Sequence, residues 1–365
     1  MDILLFDMDG VLVKPMGYHR ALQEVVRLAG IKTGFGEVLL TDEQIARFEA
    51  LGISSEWHSS ALCFAAMVIA QHGGMVIGDN HSQPMILTLD ELFAEIAAQP
   101  LQNSALHRAQ AAVENLTAKY GVPTDRVRDL VVESESIQSS LTLNWFQELI
   151  LGSENYTNIY QRKPQFRTDS YLSLYDETKL EKSLADKVLR WAEGSDHGAA
   201  IMTNRPSRGP LDSSGMPDAE MGSRLAGLAN MPVVGKGEIL WLAANTDHRV
   251  ENISKPVWMH AMAAILVASG WSAERSLKFV GEQPEEWDTS VLNYLNNARI
   301  TVFEDTPSGL VSTHRACELL NDLNLGVEVR KIGVADELSK QATLSAQFAT
   351  VYPDINQALE SLYDF

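Results

Sequence analysis

Cysteine, basic residues and long apolar runs are all scarce in this chain. Only two cysteines occur among 365 residues. Cys63 and Cys317 both lie inside apolar, helical-looking stretches, which gives no basis for a disulfide framework or a zinc cluster. Buried free thiols are expected instead. No stretch of about 18 apolar residues is present, and the opening run MDILLF has no basic and apolar leader before it, so a soluble, cytoplasmic chain without a membrane partner is expected. Repeats and low-complexity tracts are missing too. Positive charge is short: 29 Lys and Arg face 48 Asp and Glu, a formal charge of −19. Such a surface repels nucleic-acid phosphates and anionic lipid, so neither is an expected partner. Any phosphate ester must be received by local positive charge from a metal ion, a lysine or helix N-termini.

What is there is ordinary globular material, 45% hydrophobic and 21% charged, in a length that suits two or three domains. Short β-like runs recur at the start and again from about position 198: ILLF (3–6), AAIM (199–202), LKFV (277–280), ITVF (300–303), VEVRKIGVA (327–335) and TVYP (350–353). Continuous apolar runs such as the first, second and fourth suit strands buried on both faces of a parallel sheet. Helical patterns at 256–270 and 307–323 each open on proline, where a missing N–H is harmless. The expected fold is α/β, a doubly wound, mostly parallel, Rossmann-like sheet, with an inserted, mostly α-helical domain between its first strand and the rest. The core is expected at 1–14 and 191–365 and the insert at 15–190. The stretch from Pro206 to Met231, rich in Gly, Ser, Pro and Asp, reads as a long loop.

Chemistry-bearing residues cluster at strand ends. The first strand runs into Asp7, Met8, Asp9 and Gly10. There Asp7 can project into the crevice where open α/β sheets bind ligands, with Asp9 on a turn that Gly10 permits. Two carboxylates so close invite a hard divalent cation, magnesium above all. Taken alone, the same motif is also a polar turn or part of a calcium loop. Thr203 directly follows AAIM and Lys255 precedes a helix in SKP. A hydroxyl and an ammonium so placed could hold phosphoryl oxygens, though each is otherwise a helix cap or a solvated lysine. Glu304 and Asp305 end another apolar strand in VFEDTPSG, with Thr306 a candidate cap for the next helix. Metal ligation accounts for that adjacent pair better than a helix dipole alone does.

The ordered set DMDGV, strand plus Thr203, Lys255-Pro256 and Glu304-Asp305-x-x-x-Gly309 resembles the haloacid dehalogenase superfamily, in particular the phosphoglycolate phosphatase and β-phosphoglucomutase subgroup. The motifs span roughly 1–14 and 196–365, while the insert matches only in placement and helicity. The resemblance implies that Asp7 is the nucleophile that forms an aspartyl-phosphate and that Asp9 is the general acid and then base. It implies Mg2+ held by Asp7, the backbone carbonyl of Asp9, Asp305 and, as ligand or neighbour, Glu304. It gives the phosphoryl oxygens to Thr203, Asn204 and Lys255. Asp9 separates phosphoryl transfer from dehalogenation, since halide leaves without a proton. The implied activity is a phosphatase acting on a small phosphorylated metabolite; a phosphomutase and a non-catalytic phosphate-binding module are the alternatives.

Two features depart from the pattern: Asn204 stands where relatives often carry glycine, and the interval from Thr203 to Lys255 is long. An insert there, including the GKGE turn at 235–238, reads as a small second flap or a decorated hairpin, with the hairpin favoured, and the lone GKG lacks P-loop spacing. In the family the insert is a cap that closes over the phosphate, which places hinges near Lys14 to Gly17 and around 182 to 196. Within it, Glu56, Trp57 and His58 in GISSEWHSSAL (52–62) and Tyr18, His19 and Arg20 after the first hinge read either as substrate contacts or as ordinary core and helix-start residues. His72 and His81 flank a glycine-rich stretch without metal-ligand spacing.

Overall fold

The structure, a computed structural model, describes residues 1–53, 55–73, 82–100, 102–210 and 215–363, with backbone alone at 82–87, 126 and 251. Ser54, His81 and residues 211–214 of the Pro206–Met231 stretch lie outside the described residues. The chain divides into two compact units, Met1–Pro15 with Asp176–Phe365, and Met16–Tyr175.

The first unit is α/β. Its strands are β1 (Asp2–Phe6), β2 (Val13–Lys14), β3 (Glu177–Thr178), β4 (His197–Met202), β5 (Val233–Val234), β6 (Arg299–Glu304), β7 (Glu328–Val334) and β8 (Thr350–Tyr352). Six of them form one sheet in the order β5-β4-β1-β6-β7-β8, every pair parallel, while β2 and β3 make a small antiparallel ribbon. Alternate side chains of a strand point to opposite faces, and here both faces are apolar. Ile3, Leu5, Ala200, Met202, Ile300 and Val302 pack with the helix Trp258–Ala268 on one face. Leu4, Phe6, Ala199, Ile201 and Phe303 pack with the helices Lys182–Ala192 and Ile355–Leu362 on the other. Each fully buried Leu or Ile contributes roughly 1.5–3 kcal/mol, and this double layer holds the strand ends in place. Connections run outward from β1 through β4 to β5 on one side and through β6 to β8 on the other. The reversal falls between β1 and β6, at the switch point where such sheets open a crevice at their carboxyl ends.

Three details differ from the sequence expectations. LKFV is helical, within Ala273–Gly281: Ser272 accepts the Arg275 N–H at 3.3 Å, and the buried positions Ser276, Leu277 and Val280 follow the helical repeat. GKGE is no hairpin. It opens the helix Lys236–Ala244 after the parallel strand β5, with Glu238 bonded back to the Gly235 N–H at 2.9 Å and to the Ser207 hydroxyl. The stretch from Pro206 to Met231 contains the helix Asp218–Leu225. The α/β unit resumes at Asp176, and Leu184, Ala185 and Val188 belong to its core.

The second unit is helical among its described residues. Its long helices include Gly17–Thr33, Glu56–His72, Ser82–Ala98 and Ala105–Tyr120. Glu56–His72 is apolar around most of its circumference and touches Gly17–Thr33, Ser82–Ala98, Ala105–Tyr120, Thr124–Val132 and Leu141–Leu151, so it is the unit's central helix. Among the described residues no helix is long and apolar enough to cross a membrane. Cys63 and Cys317 are buried free thiols, and burial raises both above the usual thiol range.

Candidate functional site

Asp7 is the first residue beyond β1. Its N–H donates to the Phe303 carbonyl at 2.9 Å, and Phe6 stacks on Phe303 with ring centroids 5.0 Å apart, which fixes the end of β1 against the end of β6. The chain then turns back, Leu12 and Val13 N–H both donating to the Met8 carbonyl at 2.9 Å. Gly10 sits in that turn at φ +78°, and a Cβ there would come within 2.2 Å of Asp305 Oδ2. Only glycine meets both the left-handed backbone and the close carboxylate.

Lys255 reaches this point from the loop before Trp258–Ala268. Its Nζ lies 2.8 Å from Asp7 Oδ1 and 2.6 Å from Glu304 Oε1, all three side chains being buried or nearly so. Burial alone would lower the Lys255 pKa, but the Asp7 and Glu304 carboxylates outweigh it and raise it above the usual lysine range. Burial raises Asp7, with Asp305 and Asp9 adding and Lys255 opposing. Glu304 is raised by burial and by Asp7 against the same lysine. Asp305 is raised by burial too, with Lys340 Nζ opposing from 3.2 Å. Gly309 makes room for Glu304, since a Cβ there would fall 1.5 Å from Glu304 Oε1. Thr306 is the N-cap residue of its helix, but its side chain makes no capping hydrogen bond; its hydroxyl donates to Glu304 Oε2 at 3.3 Å.

Asp7, Glu304 and Asp305 each offer a carboxylate oxygen, all within 4.8 Å of one another. Two ammoniums, Lys255 and the half-exposed Lys340, face three carboxylates whose burial and mutual repulsion raise their pKa values. An oxygen set of this kind suits a hard divalent ion. Asp9 is turned elsewhere: its carboxylate pairs with Arg205, whose Nη2 lies 2.6 Å from Oδ1. Thr203 follows β4, buried, its N–H donating to the Val234 carbonyl at 3.1 Å and its Oγ1 accepting the Arg205 N–H at 3.1 Å. With the oxygen accepting there, the hydroxyl hydrogen remains available to an anion. Asn204 is exposed beside it.

The structure thus brings Asp7, Lys255, Glu304 and Asp305 into one cluster and sets Asp9 and Thr203 about Arg205. Sequence reasoning overlooked Arg205, Asp176 and Lys340. Arg205 had a signal, standing two residues beyond Thr203 in TNRP; Asp176 and Lys340 had none in any local motif. The residues noted in the insert engage neighbours within the helical unit: Trp57 and Tyr18 lie against Phe146, His58 meets Glu135 at 3.1 Å, His19 meets Glu49 at 3.4 Å and Arg20 meets Gln23 at 3.3 Å.

Among solved structures, the chain is similar to a crystal structure from the Northeast Structural Genomics Consortium, with a TM-score of 0.64 at 14% identity, covering 98% of this chain and 97% of that one. A second match is phosphatase Tt82 from Thermococcus thioreducens, with a TM-score of 0.45 at 12% identity over 94% of this chain and 99% of that one. The first likeness is one of fold alone, and the second is too loose to carry an argument about chemistry. No protein-family model matches the chain, and no curated protein matches its sequence.

Proposed function

We propose that the protein is a magnesium-dependent phosphatase that hydrolyses a small phosphorylated metabolite through an aspartyl-phosphate on Asp7, in the manner of the haloacid dehalogenase superfamily that its motifs resemble. The observation that carries this reading is the buried cluster at the switch point, with the Asp7 carboxylate 2.8 Å from Lys255 and grouped with Glu304 and Asp305.

In the first displacement Asp7 attacks phosphorus, the bond from phosphorus to the leaving oxygen breaks, and Asp9 gives that oxygen a proton. In the second, the Asp9 carboxylate takes a proton from water as the water oxygen bonds to phosphorus and Asp7 is released. Splitting hydrolysis this way divides one barrier into two smaller ones. Lys255 and the Thr203 hydroxyl, with Asn204 beside it, take the phosphoryl oxygens; charge neutralisation and alignment are what phosphoryl transfer chiefly demands. Magnesium bound by Asp7, Glu304, Asp305 and the Asp9 carbonyl would neutralise phosphoryl charge and relieve the repulsion among the carboxylates. The Lys255 ammonium also opposes the rise in Asp7 pKa that burial causes, favouring the ionised form that attack needs.

The test is a phosphate-ester panel assayed with and without magnesium, with Asp7→Asn alongside. Turnover is expected to require the metal and to fall by about 10³-fold or more in the variant. Turnover that survives Asp7→Asn would contradict the nucleophile. Recovery of inorganic phosphate, as against transfer to a second hydroxyl of the substrate, separates a phosphatase from a mutase.

A further inference from the structure

We propose that Arg205 is the positioning residue for Asp9, and that Asp176 holds Arg205 to that task; the proposal rests on the reading of Asp9 as general acid and base. Asp9 stands on a turn beyond β1 with its side chain 38% exposed. A general acid must lie within hydrogen-bond reach of the leaving oxygen, and a misplacement of about 1 Å can lose about 10²-fold in rate. Arg205 supplies that constraint. Its Nε donates to Oδ1 at 2.8 Å and to Oδ2 at 3.1 Å, and its Nη2 donates to Oδ1 at 2.6 Å. A planar guanidinium forked onto a carboxylate sets orientation as well as distance, which a lysine cannot do.

The arginine is itself buried and bonded at both ends. Its side chain is 1% exposed, and Nη2 also donates to Asp176 Oδ2 at 2.9 Å, on a side chain equally buried. Its N–H is held by Thr203 Oγ1 at 3.1 Å and its carbonyl accepts the Lys236 N–H at 2.9 Å. Gly222 packs so close that a Cβ there would lie 3.2 Å from Nη1. A buried guanidinium left without a carboxylate is strongly destabilising. Asp176 gives the buried guanidinium a second carboxylate partner, so Arg205 is anchored independently of Asp9. Asp176 is also the first residue of the α/β unit after the helical insert. The point at which the chain returns is therefore tied, through one side chain, to the acid.

The experiment compares kcat/KM for phenyl phosphate and 4-nitrophenyl phosphate, esters of similar shape of which only the first needs a proton on its leaving oxygen. Wild type, Asp9→Asn, Arg205→Gln, Arg205→Lys and Asp176→Asn are measured in the full-length protein. Asp9→Asn is expected to lose about 10²-fold or more on phenyl phosphate and far less on the nitrophenyl ester. Arg205→Gln is expected to repeat that asymmetry, shifting the ratio of the two substrates by about tenfold. Arg205→Lys, lacking the fork, should not restore it, and Asp176→Asn should move it in the same direction. Equal losses on both esters in Arg205→Gln, with the asymmetry intact in Asp9→Asn, would make Arg205 merely structural and overturn the proposal while leaving the acid in place. No asymmetry in Asp9→Asn would overturn the reading of Asp9 and this proposal with it. If Arg205→Gln loses its near-UV circular dichroism, Asp176→Asn decides, and equal losses there overturn the proposal.

Discussion

Lys255 meets two buried carboxylates with a single ammonium, and the residue behind it bears the consequence. His260 is fully buried, its Nε2–H donating to the Val234 carbonyl at 3.0 Å. Burial, with the nearby Lys255 charge, lowers its pKa from 6.5 to about 3. The folded protein therefore keeps His260 neutral while the unfolded chain takes up a proton below pH 6.5. The unfolded state then binds more protons, so this group's stabilising effect is whole above that pH and is lost as pH falls toward the folded value. Between pH 7 and pH 5 the wild type should lose about 2 kcal/mol more than His260→Gln, which keeps a donor but does not titrate. Urea denaturation of both at the two pH values checks this; parallel losses would mean that His260 is not held neutral.

Strands and helices were legible where their pattern was long and local. In β1, Ile3 and Leu5 face one side while Leu4 and Phe6 face the other, in β6 Ile300 and Val302 oppose Phe303, and such apolar runs declared buried parallel strands. LKFV misled because three apolar residues in a run of four fit a strand as well as a helix; Ser272 and the spacing of Ser276, Leu277 and Val280 were the signals that mattered. The two-residue β5 was too short to stand out. At the site, Asp7, Thr203, Lys255 and Asp305 were legible because strand ends and an ordered motif set them apart. The pairing of Arg205 with Asp176 joins distant segments through the fold, and no periodicity foretells it. In the helical unit, the Asp42–Ala50 helix is closed by a capping box: Gln44 N–H donates to Thr41 Oγ1 at 3.3 Å, and Thr41 N–H donates to Gln44 Oε1 at 3.0 Å. Thr41→Ala should destabilise the protein by about 1 kcal/mol in chemical denaturation and leave kcat unchanged. A stability equal to wild type would show that the cap carries no load.

The whole molecule carries a charge of −19, yet the proposed substrate is an anion. The long-range field therefore opposes encounter, and in the proposed mechanism attraction begins only near Lys255 and the magnesium that the carboxylates would hold. Salt screens the repulsion, so kcat/KM under saturating magnesium should rise by about twofold to threefold as ionic strength goes from about 0.02 to about 0.15 M. A fall over that range would point to electrostatic steering. The account turns, however, on the covalent bond at Asp7, and the most direct measurement is to trap it. Asp9→Asn is mixed with 4-nitrophenyl phosphate and magnesium, quenched, reduced with borohydride, digested and read by peptide mass spectrometry. An acyl phosphate on Asp7 is reduced to homoserine, and we predict that residue at position 7 and nowhere else, only when substrate is present. An unmodified Asp7 peptide under steady turnover, or conversion at another carboxylate, would contradict the account.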